Sequence, residues 1–397
     1  MLDKEKMVEL GQKYSMNTFD RGERVMVSGQ GSYLTDSDGN TYLDFISGIA
    51  VNTLGHSHPK LTEALYEQSQ KLMHAANTVW YEPSIKASQR LAEYSVLDKV
   101  FFSNSGAEAN EGAIKLARKY GAETKGEEAV EIITMKQSFH GRTMATLKAT
   151  GQEVFHKDFR PHLEGFEYVE LNDSQALKEA VSENTCAVML EVIQGEGGVN
   201  TVSEEFVQTI NQLREEKGIL VIIDEVQTGI GRTGTMYAYE QVGLEPDIMS
   251  LAKGVGGGFP TGAFLAKDYV ADHFKVGDHG TTFGGNPMAT ACINAVLDVI
   301  EEEKLIENVN ERSAQLTEGI NDLMTKYDKL KSIKGSGLLI GIEYDGDVKP
   351  VIDTCYQNKL MITSAKGNVL RLLPPLNVSE EEIEEALTKL EQVLANN

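Results

Sequence analysis

The amino-acid sequence predicts an α/β fold: a large three-layer α/β domain with a mostly parallel sheet, and a smaller α+β domain. Three observations predict it. From about residue 60, apolar runs of strand length alternate with stretches of helical spacing, the pattern of helices covering both faces of a sheet. The run at residues 219–223 is apolar at every position, as in strands buried on both faces of a parallel sheet. From about residue 290 the alternation gives way to a long helical stretch, a glycine-punctuated strand and a capped terminal helix.

Residues 1–50 read as a short helix and then a hairpin, and are expected to pack with the small domain. The hairpin strands, 31–35 and 41–45, flank Asp36-Ser37-Asp38-Gly39-Asn40, a turn-forming run. Residues 51–286 form the large domain. Its strand Val100-Phe101-Phe102 is broken by Ser103-Asn104-Ser105-Gly106, and a helix follows through Ala109, Ala113, Ile114 and Ala117. Further strands are read at Ile132-Ile133-Thr134, at 187–192 and at 219–223. Between the last two lies a helix, 204–217, with Phe206, Ile210 and Leu213 on one face and Gly218 as its stop. Residues 287–397 form the small domain: a helix at 287–303, a strand at 337–344 and a last helix. Ser379 and Glu382 make a capping box for that helix, and Ile383, Leu387, Leu390 and Leu394 line its apolar face.

The chain has 397 residues, 41% of them hydrophobic, which is enough for two domains. A net charge of −23 repels phosphate backbones and anionic lipid, so nucleic acid and membrane surfaces are not expected partners. Small anionic substrates then have to be held by a few placed arginines. No apolar run reaches membrane length, and Met1-Leu2-Asp3-Lys4-Glu5-Lys6 lacks the basic-then-apolar order of a secretory signal. Cys186, Cys292 and Cys355 are scattered and odd in number, as in a cytoplasmic protein with reduced thiols. There is no CxxC, and His56-Ser57-His58 has no acidic or cysteine companions, so no metal site is expected.

The chemistry concentrates around Lys253. An apolar stretch delivers it directly into glycines, in Ser250-Leu251-Ala252-Lys253-Gly254-Val255-Gly256-Gly257-Gly258. The run at 254–258 lacks the strand–GxGxxG–helix context of a dinucleotide site. Another apolar strand ends in Asp224, at the strand end where open α/β sheets bind ligands. A lone lysine is an ordinary surface residue. Paired with a strand-ending aspartate, it fits a Schiff-base lysine and the carboxylate that keeps a pyridinium nitrogen protonated, the protein side of pyridoxal-phosphate chemistry. The remaining handles of that cofactor also find candidates. Gln227 offers a donor for the phenolic oxygen. Ser105-Gly106-Ala107, opening a helix, offers N–H groups and a hydroxyl for the phosphate. Thr281-Thr282 is a second source of hydroxyls, and Phe139 is placed to lie on the ring. Arg142 and Arg371 are fork-shaped cations suited to carboxylates. Arg371 sits in an apolar run, 369–375, and wants a buried partner, for which Glu196 is the candidate.

Together the stretches 104–110, 139–143, 194–198, 224–229, 252–260 and 280–287 resemble the class III, fold-type I pyridoxal-phosphate-dependent aminotransferases. The likeness runs from about residue 48 to Arg371. It implies that Lys253, Asp224 and Glu196 are catalytic. It implies that Ser105, Gly106, Ala107, Phe139, Asp224, Val226, Gln227, Lys253 and Thr282 bind the cofactor, Thr282 reaching across from a partner subunit of a homodimer. Arg142, Thr281 and Arg371 are implied to meet the substrate. One departure is visible: relatives often read Glu-Pro-Ile-Gln-Gly-Glu where this chain has Glu191-Val192-Ile193-Gln194-Gly195-Glu196.

The resemblance further implies transfer of the terminal amino group of N2-acetyl-L-ornithine to 2-oxoglutarate, yielding N-acetylglutamate 5-semialdehyde and glutamate for arginine biosynthesis. In that reaction Glu196 is expected to mask Arg371 while the donor is bound and to release it for the acceptor. Ornithine, succinylornithine, acetyl-lysine and 4-aminobutyrate are the alternative donors. Ornithine enzymes carry a tyrosine where this chain has Ile49, and an apolar residue there offers nothing to a charged α-amine. Another reaction on the same cofactor, such as an aminomutase or decarboxylase, and a non-catalytic scaffold are the remaining alternatives.

Overall fold

Seven strands form the largest sheet of the computed structural model, which describes residues 3–396. Across the sheet they run Lys99–Ser103, Gly262–Ala266, Ile248–Leu251, Leu220–Asp224, Thr185–Leu190, Glu131–Met135 and Phe166–Val169. The last five are mutually parallel, and Gly262–Ala266 runs antiparallel to both of its neighbours. The mostly parallel sheet expected from the sequence is therefore present, with one reversed strand that its apolar composition did not reveal.

The two faces of this sheet are read out by alternate residues. Ile222 packs on one side with Ala113, Ile114 and Ala117 of the helix Gly106–Thr124. Its neighbours Val221 and Ile223 pack on the other with Phe206 and Ile210 of the helix Glu204–Lys217. All three side chains are fully buried, each contributing roughly 1.5–3 kcal/mol of apolar burial. Helices on both sides leave no polar face, which is why this strand carries no polar residue before its last position. Gly218 ends the Glu204–Lys217 helix with φ 62°, a left-handed conformation that favours glycine.

Two four-stranded sheets lie apart from the central one. In the first, Met26–Gln30, Tyr33–Asp36 and Thr41–Asp44 form an antiparallel meander, and Leu360–Met361 adds to it in parallel. The hairpin at 33–44 matches the turn chemistry, while the flanking strand Met26–Gln30 has a mixed sequence and was not anticipated. In the second, the order is Leu330–Ser336, Leu339–Tyr344, Val369–Leu372 and Thr363–Ala365. The single strand expected over 337–344 is corrected here. Gly337 is a turn residue at φ 57°, and a separate strand, Leu330–Ser336, precedes it. The final helix, Glu380–Leu394, starts with the Ser379–Glu382 capping box and buries Ile383, Leu390 and Leu394, with Leu387 partly buried. The apolar cluster under the Val221 face continues without a break into Leu339, Ile342, Leu370 and Ile383, so the sheet carrying Arg371 is braced on the sheet carrying Asp224. No described helix is long and apolar enough to cross a membrane.

Two helical glycines make opposite demands. A Cβ at Gly121 would stand 2.1 Å from the Ala129 carbonyl oxygen and 2.5 Å from Cys186 Cβ, whereas one at Gly11 would meet nothing within 4 Å. Gly121→Ala is expected to destabilise the protein by about 1–3 kcal/mol through overpacking. Gly11→Ala is expected to stabilise it by up to about 1 kcal/mol through helix propensity. Urea unfolding of both variants checks the contrast, and equal midpoints would contradict it.

Candidate active site

The carboxyl ends of three adjacent parallel strands deliver the charged groups. Thr185–Leu190 is followed by Glu191, Leu220–Asp224 ends in Asp224, and Ile248–Leu251 leads through Ala252 to Lys253. Together with the loops around them these residues line a cavity of about 470 Å³. Lys253 enters it from a left-handed backbone position, φ 47°, which costs a residue with a Cβ on the order of 1 kcal/mol. Lys253 itself opens the 3-10 turn Lys253–Gly256, two of whose four residues are glycines.

Asp224 is buried and held from three directions. Its Oδ2 accepts from Asn110 Nδ2 at 2.8 Å and faces His140 Nδ1 at 2.8 Å, while Oδ1 accepts the Val226 N–H at 3.0 Å. Asn110 also donates to the His140 carbonyl at 2.8 Å, which closes the cluster. Glu191 Oε2 accepts the Phe139 N–H at 3.1 Å, and burial raises its carboxyl above the ordinary range while His140 opposes that rise. Burial, assisted by the Arg371 charge, lowers the Lys253 amine below the usual lysine range, against the pull of Glu196, Asp224 and Glu191. A lysine so placed holds a larger neutral fraction than one at the surface.

The helix Gly106–Thr124 points its N-terminus at the same cavity. Ser105 caps it, its Oγ accepting the Glu108 N–H at 3.2 Å. The Gly106 and Ala107 N–H groups open the first turn, where no intrahelical acceptor exists. A Cβ on Gly106 would lie 2.8 Å from Val226 Cγ1, so only glycine lets the helix start close against the Asp224–Val226 wall. The Arg142 guanidinium stacks over Phe155 at 3.9 Å and stands 5.5 Å from the Phe139 ring. Among the described residues it has these aromatic neighbours and no carboxylate partner.

Behind Glu196 and Gln227, Arg371 is buried to 1% exposure in the strand Val369–Leu372. Its fork meets Glu196 twice, Nη1 to Oε1 at 2.7 Å and Nη2 to Oε2 at 3.1 Å. Nη1 also donates to the Gly195 carbonyl at 2.7 Å and to Gln227 Oε1 at 3.2 Å, and Gln227 Nε2 returns a bond to Glu196 Oε1 at 3.2 Å. Gly195 leaves room for this arrangement: a Cβ there would lie 2.0 Å from Gln227 Oε1 and would displace the Gln227 amide from Arg371. Burial would raise the Glu196 carboxyl, but the charge and hydrogen bonds of Arg371 outweigh it and hold the group below its ordinary value.

Ser105, Gly106, Ala107, Phe139, Arg142, Glu196, Asp224, Val226, Gln227 and Lys253 thus line one cavity. Arg371 stands behind that lining and touches it through Glu196 and Gln227. The Gln227 amide, expected at a phenolic oxygen, is engaged with Arg371 and Glu196. Thr281 and Thr282 do not line the cavity of their own chain. Thr281 is bonded to Asn77 and Asn104 beside the exposed Trp80. Ile49 is 40% exposed and does not line the cavity, and Val51 of the same loop does. Sequence reasoning passed over Asn110, His140 and Glu191. Asn110 had a signal, since it falls on the apolar face of its helix with Ala113 and Ala117, where a polar side chain wants a partner.

A profile of the class-III aminotransferases matches residues 17–394. The acetylornithine aminotransferase of Caldanaerobacter subterraneus subsp. tengcongensis is 50% identical over 390 residues, covering 98% of this chain and 99% of that protein. Among solved structures, that of the acetylornithine aminotransferase from Elizabethkingia anophelis superposes with a TM-score of 0.88 at 34% identity, covering all of both chains. The Toxoplasma gondii ornithine aminotransferase, described with partial occupancy of pyridoxal phosphate at its active site, gives 0.94 at 32% identity, over 99% of this chain and 95% of that one.

The depressed Glu196 carboxyl has a consequence for acid stability. A carboxyl lowered on folding adds stability above its ordinary value of 4.5, and that stability is lost as pH falls through the lower folded value. Glu196→Gln leaves Arg371 buried without its counter-charge and is expected to cost about 1–3 kcal/mol at neutral pH. The deficit should shrink as pH falls from 4.5 through the lowered folded value of this carboxyl, and urea midpoints measured across pH test this. A deficit constant with pH would contradict it.

Proposed function

This chain belongs to the class-III aminotransferases, and from that premise we propose that it moves the terminal amino group of N2-acetyl-L-ornithine to 2-oxoglutarate, giving N-acetylglutamate 5-semialdehyde and glutamate. Enzymes of this class use pyridoxal phosphate, and the residues present fit it. The cradle that a Cβ at 106 would close has first-turn N–H groups and the Ser105 hydroxyl for a phosphate. Asp224 would hold the ring nitrogen, Val226 and Phe139 would flank the ring, Gln227 would serve the phenolic oxygen, and Lys253 would carry the aldehyde. Bound there, the cofactor supplies a carbonyl that receives the amino group and a protonated ring that withdraws electrons from the carbon losing its proton.

The chain's own residues supply the rest. Asn110, His140 and the Val226 N–H hold the Asp224 carboxylate in one orientation at the sheet edge. The lowered Lys253 amine takes the proton from the carbon bearing the transferred nitrogen and returns it to a neighbouring atom. The preference for a terminal over an α-amino donor rests on one observation: Arg371 is neutralised by Glu196, whereas Arg142 has no carboxylate partner. A donor that reacts through its far amine brings one remote carboxylate, which Arg142 can take. 2-Oxoglutarate brings two, and the one beside its reacting carbon requires Glu196 to swing off Arg371. Among such donors, N2-acetyl-L-ornithine is supported by the 50% identical relative, an acetylornithine aminotransferase.

A homodimer completes the reading. Val79, Trp80 and Phe283 are more than half exposed and flank the segment carrying Thr281 and Thr282, a concentration of apolar surface that suits a second copy. Thr282 would then reach the partner's phosphate site. A sedimentation mass equal to one chain would remove this part. The buried, free thiols of Cys186, Cys292 and Cys355 and the net charge of −23 support a cytoplasmic protein acting on small molecules rather than on nucleic acid or membranes.

Purified protein offered 2-oxoglutarate and a panel of acylated and free diamino acids should form glutamate fastest, and mole for mole, with N2-acetyl-L-ornithine. Glu196→Gln should narrow the preference for terminal over α-amino donors by about tenfold in separated half-reactions. Preference for free ornithine, or unchanged discrimination in the variant, overturns the corresponding part.

A further inference from the structure

Lys253 enters the cavity through a turn its own backbone disfavours, so a contact outside the turn has to hold it. One contact is placed to do so. Thr53 is 2% exposed, and its Oγ1 donates to the Gly254 carbonyl at 3.0 Å. That carbonyl already closes the turn by accepting the Gly257 N–H at 3.1 Å. Gly254 permits the approach, because a Cβ there would lie 2.6 Å from the Thr53 hydroxyl.

Thr53 is itself anchored by an unusual segment. Ser47, Gly48, Ile49 and Ala50 are consecutive left-handed residues with φ between 49° and 67°. Asp44 holds the start of that segment, its Oδ1 accepting the Ile46 and Ser47 N–H groups at 2.9 and 3.0 Å. Asp44 Oδ2 pairs with His56 Nε2 at 2.8 Å, and His56 exchanges both backbone hydrogen bonds with Gly31 of the N-terminal meander. On the far side, the Thr53 carbonyl accepts the Leu376 N–H at 2.8 Å, just past the strand of Arg371. A brace therefore runs from the N-terminal hairpin to the lysine.

We propose that Thr53 is a positioning residue for Lys253, its hydroxyl locking the turn that aims the amine. This rests on the function proposed above, in which Lys253 carries the cofactor and moves the proton, and a small displacement of such an amine slows both half-reactions.

Thr53→Val keeps the shape and removes the hydroxyl, whereas Thr53→Ser keeps the hydroxyl. In the loaded protein, Thr53→Val should lower kcat in both half-reactions by about tenfold or more with KM within about twofold. It should also move the pH midpoint of the cofactor's visible band by about half a unit or more. In the cofactor-free protein it should change the rate at which an amine-acylating reagent modifies Lys253, followed by mass spectrometry. Thr53→Ser should stay within about twofold of the parent on each rate. A Thr53→Val protein with the parent's band midpoint and acylation rate overturns the inference, as does a Thr53→Ser protein that departs equally far. If Thr53→Val does not fold, Gly254→Ala, which displaces the same hydroxyl, should give the Thr53→Val phenotype, and parent-like behaviour there overturns it. Borohydride reduction of the loaded parent separates the two levels. A label absent from Lys253 overturns the function on which this rests, while a labelled parent with a neutral Thr53→Val overturns this inference alone.

Discussion

A guanidinium buried in a sheet is the constraint around which this site is organised. Arg371 sits between leucines in a strand that packs into the main apolar cluster, and a buried cation without a partner is expensive. The fold satisfies it with a carboxylate, a carbonyl and an amide from two loops at the ends of the central sheet. Gly195 leaves the Gln227 amide room beside Arg371, and the Val369–Leu372 strand is tied back to the N-terminal segment by the Leu373 N–H on the Phe45 carbonyl at 2.7 Å. Packing and electrostatics thus join three parts of the chain at one residue.

The second concentration of charge follows from sheet geometry. Parallel strands end on the same side, so Glu191, Asp224 and Lys253 converge without any long-range design of their loops. Convergence alone would leave two carboxylates competing in a dry place. His140 and Asn110 settle that competition by bonding Asp224, and burial pushes Glu191 toward its neutral form.

Much of this was legible in the sequence where a residue's local setting is unusual. Lys253 before glycines, Asp224 after an all-apolar strand and Arg371 inside an apolar run each break a local rule; the first two line the cavity, and Arg371 is bonded to Glu196 of its lining. The central sheet was legible for the same reason, since burial on both faces leaves a continuous apolar run. What could not be read depends on distant pairing. The reversal of Gly262–Ala266 is invisible, because an antiparallel strand between covered faces has the same composition as a parallel one. The strand Met26–Gln30 owes its existence to its neighbour at 33–36 rather than to any periodicity of its own. His140 and Glu191 are buried polar residues whose partners lie on other strands, and no spacing within one segment reveals such a bond.

The overall charge bears on how selection by this site can work. At a net −23 the surrounding field repels dicarboxylates, and discrimination by cavity shape alone is shallow, since a methylene is worth only about 1–3 kcal/mol in an apolar pocket. A cation that can be offered or withheld is a stronger selector. Arg142 is permanently available, stacked on Phe155 with no acid beside it. In the proposed reaction Arg371 becomes available when Glu196 leaves, and Glu196 is the more exposed member of the pair, its side chain being 30% exposed against 2% for Arg371. That asymmetry in burial favours movement of the acid in the proposed reaction: the fold fixes the arginine in its sheet and puts the carboxylate on a loop at the cavity wall. In the proposed reaction, the number of carboxylates a substrate carries near its reacting end then decides whether that loop's acid must move, and the same cavity serves two substrates of different charge.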